Sequence, residues 1–232
     1  MRKFILSYIA LLAVNLSFSQ DASPYYKVNP GQIVEEVLNN EIRFLYPEFK
    51  MGLVLFRSGS MGSSKMNYNF LDRELQFING EDTLALDKGE DIRYVVIEKD
   101  TFYFKENEWI RQVASSGRVR LAEVKFLAMV DLEKIGAYGQ EISGNSVDVY
   151  MVTAANMPKR LEANQVITFT MAKNFYFGDR YDNYRLANKK NISNMFGNKC
   201  PGIEKYLASE KISYHSSSDM QKLFDFINQN LK

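Results

Sequence analysis

The chain has 232 residues, of which 29 are basic and 28 acidic, so its formal net charge at pH 7 is +1. Proteins that hold nucleic acid phosphates normally show a clustered basic face, and the nearest group here, Lys189-Lys190 with Arg185 close by, is too small for one, so we expect no nucleic-acid partner. The chain has one cysteine, Cys200, and one histidine, His215. A disulfide scaffold and a zinc site built from cysteine and histidine within one chain are therefore excluded.

The first twenty residues have the pattern of a secretory signal peptide. Arg2 and Lys3 precede an apolar run over residues 4–14, and we expect cleavage near Ser19 or Gln20. The run is shorter than the ~20 residues that a spanning helix needs, so no transmembrane segment is expected after signal removal. The sequence predicts an exported protein, in the periplasm or peripherally associated with the outer membrane.

A short helix is predicted near residues 30–40. Asn29 and Pro30 fit an N-cap followed by proline at the first helical position. Val34, Val37 and Leu38 then fall on one helical face, which would pack against the rest of the protein.

From MGLVLFR onward, short apolar or alternating runs are separated by turn residues. In KMNYNF, Met66, Tyr68 and Phe70 share one face, which is the period of a β-strand. Asn79-Gly80 indicates a two-residue hairpin turn. Such signals recur at the spacing of an antiparallel meander, which predicts a sandwich or a partly open barrel.

The stretch GSMGSSKM, residues 59–66, nearly fits a phosphate-binding loop. Ser64 replaces the second glycine of that pattern, and Met66 replaces the residue that would hold magnesium. The stretch also lies between two predicted strands, whereas a phosphate-binding loop needs a helix after it. We interpret it as a turn.

The chain after residue 135 changes character twice. GAYGQEISGNS, residues 136–146, is expected to be a mobile loop or a boundary, and VDVYMV, QVITFTM and NFYF are predicted strands. Three helices follow Asp179. The first is expected to end at Gly197 in a left-handed cap, and Pro201 opens the second.

The third helix is predicted to start at Ser218, which forms a capping box with Gln221. Its apolar stripe consists of Met220, Leu223, Phe224, Ile227 and Leu231. The predicted class is therefore α+β, mainly β. The predicted organisation is a signal peptide at 1–20, a β-rich domain at 21–178, and a C-terminal helical unit at 179–232 packed on it.

The order of elements resembles a family of exported Bacteroidetes-type proteins, in which a β-meander is followed by a C-terminal helical unit. The resemblance is carried by residues 49–87, by IRYVVIEKDTFYF, by the loop at Tyr138-Gly139 and by FYFGDRYDNYRLANKKNISNMF. That family has no established activity, so the resemblance implies a location in the envelope and supplies no catalytic residues. Asp82-Thr83-Leu84 is similar to a short O-glycosylation motif of such proteins, which makes Thr83 a possible O-glycosylation site.

No catalytic residue, cofactor or metal site is predicted. His215 stands beside three serines, but neighbours along a chain rarely face each other in catalytic geometry. Cys200 lies at a predicted helix N-cap, where the dipole would lower a thiol pKa, or it is a buried cap residue. Two acidic turns supply oxygen ligands without the spacing of a known calcium loop, namely Asn79, Glu81 and Asp82, and Asp179, Asp182 and Asn183.

Adjacent aromatic residues in TFYF and NFYF place rings on both faces of their strands. One face belongs to the core, while rings such as Tyr103 and Tyr176 need a helix, a ligand or a partner. We therefore expect an interaction or accessory protein of the cell envelope without catalytic activity. The alternative is a carrier of a small apolar or sugar-like ligand in the β layer.

Overall fold

A computed structural model describes residues 24–86, 91–133, 163 and 166–231. Antiparallel β-structure dominates these residues, and helices follow it at the C-terminal end. The strands are β1 (Tyr25–Val28), β2 (Lys50–Phe56), β3 (Met61–Asn69), β4 (Glu74–Asn79), β5 (Asp82–Ala85), β6 (Ile92–Ile97), β7 (Asp100–Lys105), β8 (Glu108–Ser115), β9 (Val119–Glu133), β10 (Val166–Asp179) and β11 (Tyr184–Leu186). The helices are α1 (Val34–Val37), α2 (Asn40–Arg43), α3 (Lys189–Phe196), α4 (Ile203–Ser209) and α5 (Ser217–Asn230).

The strands form one large open sheet. Its order is β1-β10-β9-β8-β7-β6-β2-β3-β4-β5, and β11 also pairs with β10. Strands β2 to β5 and β6 to β10 are each joined in sequence to their neighbours, as in a meander. The predicted α+β, mainly β class, with an antiparallel meander and three C-terminal helices, is confirmed.

The tight turns follow the predicted turn residues. The β4–β5 turn is shifted by one residue from the predicted Asn79-Gly80: Asn79 pairs with Asp82, so the loop consists of Gly80 and Glu81, with Gly80 at a φ of 64° that glycine tolerates. In GSMGSSKM, Gly59 lies in the β2–β3 turn at a φ of 88°, and the residues from Met61 onward belong to β3. The interpretation of this stretch as an inter-strand turn is confirmed.

The sheet curls around a single main core. The Leu127 amide in β9 donates a hydrogen bond to the Phe70 carbonyl just after β3 at 3.0 Å, although β8, β7, β6 and β2 lie between these strands in the sheet. We call the side that faces this core the inner face and the opposite side the outer face. Fully buried members of the core include Leu38, Leu75, Ile97, Phe102, Trp109 and Phe169.

The C-terminal helices pack on the inner face of the same sheet. Leu121 and Leu127 lie on one side of β9, but Leu121 contacts the helices and Leu127 the main core. Phe177 of β10 meets Phe196 of α3 with ring centroids 6.3 Å apart. The predicted α5 stripe is buried at Met220, Leu223, Phe224 and Ile227 and partly buried at Leu231.

The N-terminal helix is shorter than predicted, because Asn29 and Pro30 form a turn instead of its cap. The Gln32 amide donates to the Asn29 carbonyl at 3.0 Å, and Gly31 has a φ of 81°. Proline followed by a positive-φ glycine is the pattern of a type II turn. The helix itself starts at Val34 after Ile33, which makes no side-chain cap.

The predicted caps of all three C-terminal helices are also wrong, since α4 begins at Ile203 after Gly202, and neither Cys200 as its N-cap nor Pro201 as its first residue is found. Gly197 ends α3 with a right-handed φ of −48°, and a Cβ there would lie 2.5 Å from the Ser193 carbonyl oxygen, so close packing explains this glycine. α5 begins one residue earlier than predicted, because the Ser216 hydroxyl accepts from the Asp219 amide. The predicted capping box of Ser218 and Gln221 is thus replaced by a cap at Ser216.

Two further predictions concern the end of the β region. VITFTM, from Val166 onward, and NFYF belong to one strand, β10, whose pairing with β9 is irregular between Thr168 and Phe169. β11 follows it, so the helices begin at Lys189. Within the described ranges, no helix is long and apolar enough to span a bilayer. The predicted signal peptide, the loop at 136–146 and the strand VDVYMV lie outside the described residues.

Candidate functional site

A cleft of about 260 Å³ lies between the short N-terminal helices and the β3–β5 part of the sheet. One wall comes from α1, α2 and the chain that leads into β2, and the other from β3, the β3–β4 turn, β4 and β5. Its volume is slightly below the usual range of small-ligand pockets, which is about 300–1,000 Å³. The cleft is lined by Glu35, Asn40, Arg43, Phe44, Phe49, Asn69, Asp72, Gln76 and Thr83.

Arg43 supplies the positive charge of the cleft. Its Nη2 donates to Asn40 Oδ1 at 2.9 Å, and its Nη1 lies 3.7 Å from Glu35 Oε1. The side chain is 16% exposed, and its buried Nε has no hydrogen-bond partner among the described residues. A buried donor without a partner costs free energy, and the guanidinium is held in place by its contacts with Asn40 and Glu35.

Asn69, Asp72 and Gln76 form the polar floor of the cleft. Asn69 Oδ1 accepts from the Leu71 and Asp72 amides at 2.9 and 3.2 Å, which folds the β3–β4 turn back over the strand. The side-chain amides of Asn69 and Gln76 both donate to Asp72 Oδ2, at 2.9 and 3.2 Å. These contacts hold the Asp72 carboxyl in a fixed place.

Burial raises the pKa of Asp72 above its usual range. The negative charges of Glu74 and Glu35 act in the same direction, while Arg43 and the Gln76 hydrogen bond oppose them. A carboxyl with a perturbed pKa in a cleft is a common feature of binding and catalytic sites.

Aromatic side chains complete the cleft. Phe44 and Phe49 meet edge to face with centroids 5.4 Å apart, and the Arg43 guanidinium carbon lies 5.5 Å from the Phe44 centroid. Phe44 also forms an isolated bridge to Asn69, which ties the two walls together. The arrangement offers hydrogen-bond donors, acceptors and an apolar surface to one small molecule.

No protein-family model, curated protein or solved structure matches the chain. The function is therefore argued below from the geometry of the described residues.

Tyr103 and Tyr176, the two rings predicted to form a ligand or partner surface, lie away from the cleft on the outer face. Tyr176 is 4% exposed, and its hydroxyl donates to Glu108 Oε2 at 2.5 Å. Tyr103 is half-buried between the rings of Tyr94 and Tyr184, with centroids 6.1 and 5.7 Å away. Thr83, the predicted O-glycosylation site, is exposed on β5 and lines the cleft.

Cys200 is fully buried just before α4, whose N-cap is Gly202. Burial raises the pKa of the Cys200 thiol, which is the opposite of the shift that a helix dipole would produce. The geometry agrees with a buried structural cysteine and gives no support to a nucleophilic one.

Cys200 is expected to resist thiol reagents in the folded protein. A buried thiol with a raised pKa has little thiolate and little access, so labelling by Ellman's reagent should be more than about tenfold slower than in denaturant. Equal labelling rates in native buffer and in urea would contradict this. The comparison is made by absorbance on the same sample.

The other sequence-selected groups serve local structure. The Asp179 carboxylate accepts from the Tyr181 and Asn183 amides, as in a tight turn. Burial acts against it, but the hydrogen bonds from Asn183 and Tyr181 lower the Asp179 pKa. His215 Nδ1 lies 3.0 Å from the Lys173 carbonyl oxygen. Within the described ranges, no group of three or more potential ligands is placed to hold a metal ion.

A second polar group lies inside the curled sheet. Arg111 bridges two buried carboxylates, with Nη1 3.2 Å from Asp100 Oδ1 and Nη2 hydrogen-bonded to Glu123 Oε1. The Tyr46 hydroxyl donates to Asp100 Oδ2 at 2.6 Å. Burial and this hydrogen bond raise the pKa of Tyr46 above its usual range.

The cavity beside this ion group has a volume of about 10 Å³. That space holds about one water molecule. Tyr68 and Trp109 line this cavity. The Tyr68 hydroxyl and Trp109 Nε1 are buried and have no hydrogen-bond partner among the described residues. The interior therefore has room for a water molecule here, and the candidate ligand site is the cleft outside.

Sequence reasoning did not single out Arg43, Asp72 or Gln76. Arg43 ends α2, Asp72 lies in the β3–β4 turn and Gln76 lies in β4. These segments come together where Phe44 forms its bridge to Asn69. One signal was present in the sequence. An asparagine side chain commonly accepts a hydrogen bond from the backbone amide two residues later and so closes a turn. Asn69 has this position relative to Leu71, which indicates that its side chain holds the turn.

Proposed function

We propose that the protein is a non-catalytic binding protein of the cell envelope, which holds a small polar, sugar-like ligand in the cleft. The observation that carries the proposal is the convergence of Arg43 and Asp72, a half-buried carboxyl, beside two phenylalanines. Pockets for small ligands combine apolar walls with a few convergent polar groups of this kind.

Sugar hydroxyls suit the cleft because each of them both donates and accepts hydrogen bonds. Arg43 supplies donors, Asp72 supplies acceptors, and Asn40 supplies both. The rings of Phe44 and Phe49 offer an apolar wall to the C–H face of a pyranose. Since the cleft contains two carboxylates and one guanidinium, a neutral or cationic sugar is favoured over an anionic one.

Replacing Asp72 by asparagine, or Arg43 by glutamine, is expected to weaken ligand binding more than about tenfold. Hydrogen bonds to charged groups contribute about 1.5–3 kcal/mol, and either change removes one charged partner. Binding is measured by titration calorimetry against glucose, galactose, N-acetylglucosamine, glucosamine and glucuronate. Intact mass first verifies that Thr83 is unmodified, because a glycan there would stand in the cleft.

The matched control is Glu36→Gln, which neutralises an exposed carboxylate on α1 outside the cleft and should leave affinity unchanged. If none of the five sugars binds, the ligand class is wrong. Binding that survives both cleft substitutions would place the site elsewhere.

Acid should weaken binding in the wild type and leave the Asp72→Asn variant with a flat pH profile. A protonated Asp72 loses its charge, and this occurs at a higher pH than usual because burial raises its pKa. Because the pKa of Asp72 is raised in the folded state, protonation of Asp72 stabilises the folded protein. This stabilisation is lost as pH rises through that pKa. Protonation of Asp72 therefore does not unfold the protein, and unfolding does not explain the loss of affinity in acid. The affinity is measured by calorimetry across the acidic range.

Export belongs to the proposal and rests on the N-terminal sequence pattern. An interaction or accessory role in the envelope is the second candidate. It is favoured by exposed apolar side chains on β2 and β3, namely Met51, Leu53 and Met61.

A further inference from the structure

The outer face of β3, β2, β6 and β7 exposes an apolar strip. Strand register places Leu55 between Met61 and Tyr94, and the Tyr94 ring meets that of Tyr103 at 6.1 Å. Met61 is 66% exposed. In the adjacent rows, Met51 is 61% exposed and Leu53 is 39% exposed. We call this surface the β2–β3 outer patch, defined by Met51, Leu53, Leu55, Met61, Tyr94 and Tyr103.

Cations border this patch. Lys65 is exposed and lies opposite Met51 in the β2–β3 pairing, and the Arg93 guanidinium carbon lies 6.0 Å from the Tyr94 centroid. Lys105 follows Tyr103 on the same side of β7, two residues along the strand. Acidic residues also lie close in sequence: Asp91 and Glu98 flank β6, Asp100 is buried, and Glu106, next to Lys105, forms an ion pair with Arg185.

Lys105 stands close to another cation. Burial lowers the pKa of Lys105, and the charge of Arg57 lowers it further, so the two basic groups repel each other on this surface.

We propose that the β2–β3 outer patch docks on a bilayer that contains anionic phospholipids. Exposed methionine and leucine side chains enter the boundary between headgroups and acyl chains, and the bordering cations meet lipid phosphates. Tyrosine belongs at that boundary as well, because its ring is apolar and its hydroxyl is polar. The inference goes beyond the proposed function, since it rests on other residues and another face.

The composition of the patch favours lipid over a protein partner. Protein interfaces are depleted of lysine relative to the rest of the surface, and charged residues are excluded from their centres. Here Lys65 lies directly beside Met51, within the exposed rows. Interleaved cations and flexible apolar tips match a headgroup layer, which supplies anions and an apolar layer together.

The test is co-sedimentation with large unilamellar vesicles of phosphatidylcholine alone and of phosphatidylcholine with 30% phosphatidylglycerol. The full chain is used as its cell processes it, and all variants carry the same N-terminal sequence. Wild type should bind the anionic vesicles and not the neutral ones. Neutralising both lysines, as Lys65→Gln with Lys105→Gln, should weaken binding about 25-fold, since each basic residue near the surface contributes about fivefold.

Matched controls keep charge and apolarity separate. Lys189→Gln with Lys190→Gln removes two exposed lysines at the start of α3, and Tyr181→Ser removes a ring that is 67% exposed on the β10–β11 turn. Both should bind as wild type, whereas Leu53→Ser with Met61→Ser should lose binding to anionic vesicles. Circular dichroism verifies that each variant is folded.

Three results would overturn the proposal. The first is absence of binding to anionic vesicles, and the second is an equal loss in the α3 lysine control. The third is a lack of vesicle binding together with a stoichiometric protein partner that the lysine and leucine variants fail to retain. That last result would show that the patch binds a protein partner and not a lipid bilayer.

Discussion

Replacing Arg111 by methionine is expected to destabilise the protein by about 3 kcal/mol, because the Asp100 and Glu123 carboxylates would remain buried without a cation. Methionine keeps much of the side-chain length, so the effect isolates the charge. Urea unfolding followed by Trp109 fluorescence measures it, with a lowered midpoint and an unchanged slope.

Arg185→Met is the control, because Arg185 forms an exposed ion pair with Glu106 at 3.0 Å. Such a pair contributes at most about 1 kcal/mol. A further variant combines Arg111→Met with Asp100→Asn and Glu123→Gln, and it should recover part of the lost stability. Equal midpoints for the Arg111 and Arg185 variants would contradict the role assigned to Arg111.

Replacing Phe177 by alanine is expected to cost about 3–5 kcal/mol and to shift the unfolding of the sheet and of the helices together. Phe177 is fully buried in the cluster that joins β9 and β10 to α3, α4 and α5. Trp109, the single tryptophan, lies in the main core and reports on the sheet. Far-UV circular dichroism reports on the helices.

Coincident transitions by the two probes would mean that the β region and the helical unit unfold as one cooperative body. If helical signal is lost at a urea concentration that leaves Trp109 fluorescence native, the helices form a separate unit. Tyr181→Ala, on an exposed turn, serves as the control and should leave both midpoints in place.

The meander could be predicted because its determinants are local. Gly59, Gly80 and Gly117 occupy positive-φ turn positions between alternating strands, so the turns are specified within a few residues. The α5 stripe was equally clear, since four of its five members are buried at helical spacing. Local sequence thus determines most of the order of elements.

Helix starts were harder to predict because several residues compete for each cap. Three successive serines, Ser216 to Ser218, stand at the start of α5, and the one that caps it is selected by contacts beyond its own helix. Asp219, whose amide is bound by Ser216, also accepts from the Ser213 amide at 3.0 Å. This second contact fixes the entering chain, which a pattern of single residues does not describe.

The candidate cleft could not be predicted because it depends on pairing between distant segments. Arg43 comes from the end of α2, and Gln76 comes from β4 on the other wall. Neither residue has a neighbour in sequence that indicates a site. Their proximity follows from the return of the chain at Phe44 to the end of β3, a tertiary event.

The pairing of β1 with β10 constrains the order in which the chain folds. Thr170 Oγ1 donates to the Pro24 carbonyl across a separation of 146 residues, whereas the hairpins from β2 to β5 and from β6 to β9 close over short loops. Closing a long loop costs entropy before its contacts form, so the hairpins form first. β1, the first strand among the described residues, is then among the last to find its partner, and until β10 pairs the sheet presents an unpaired edge at β9.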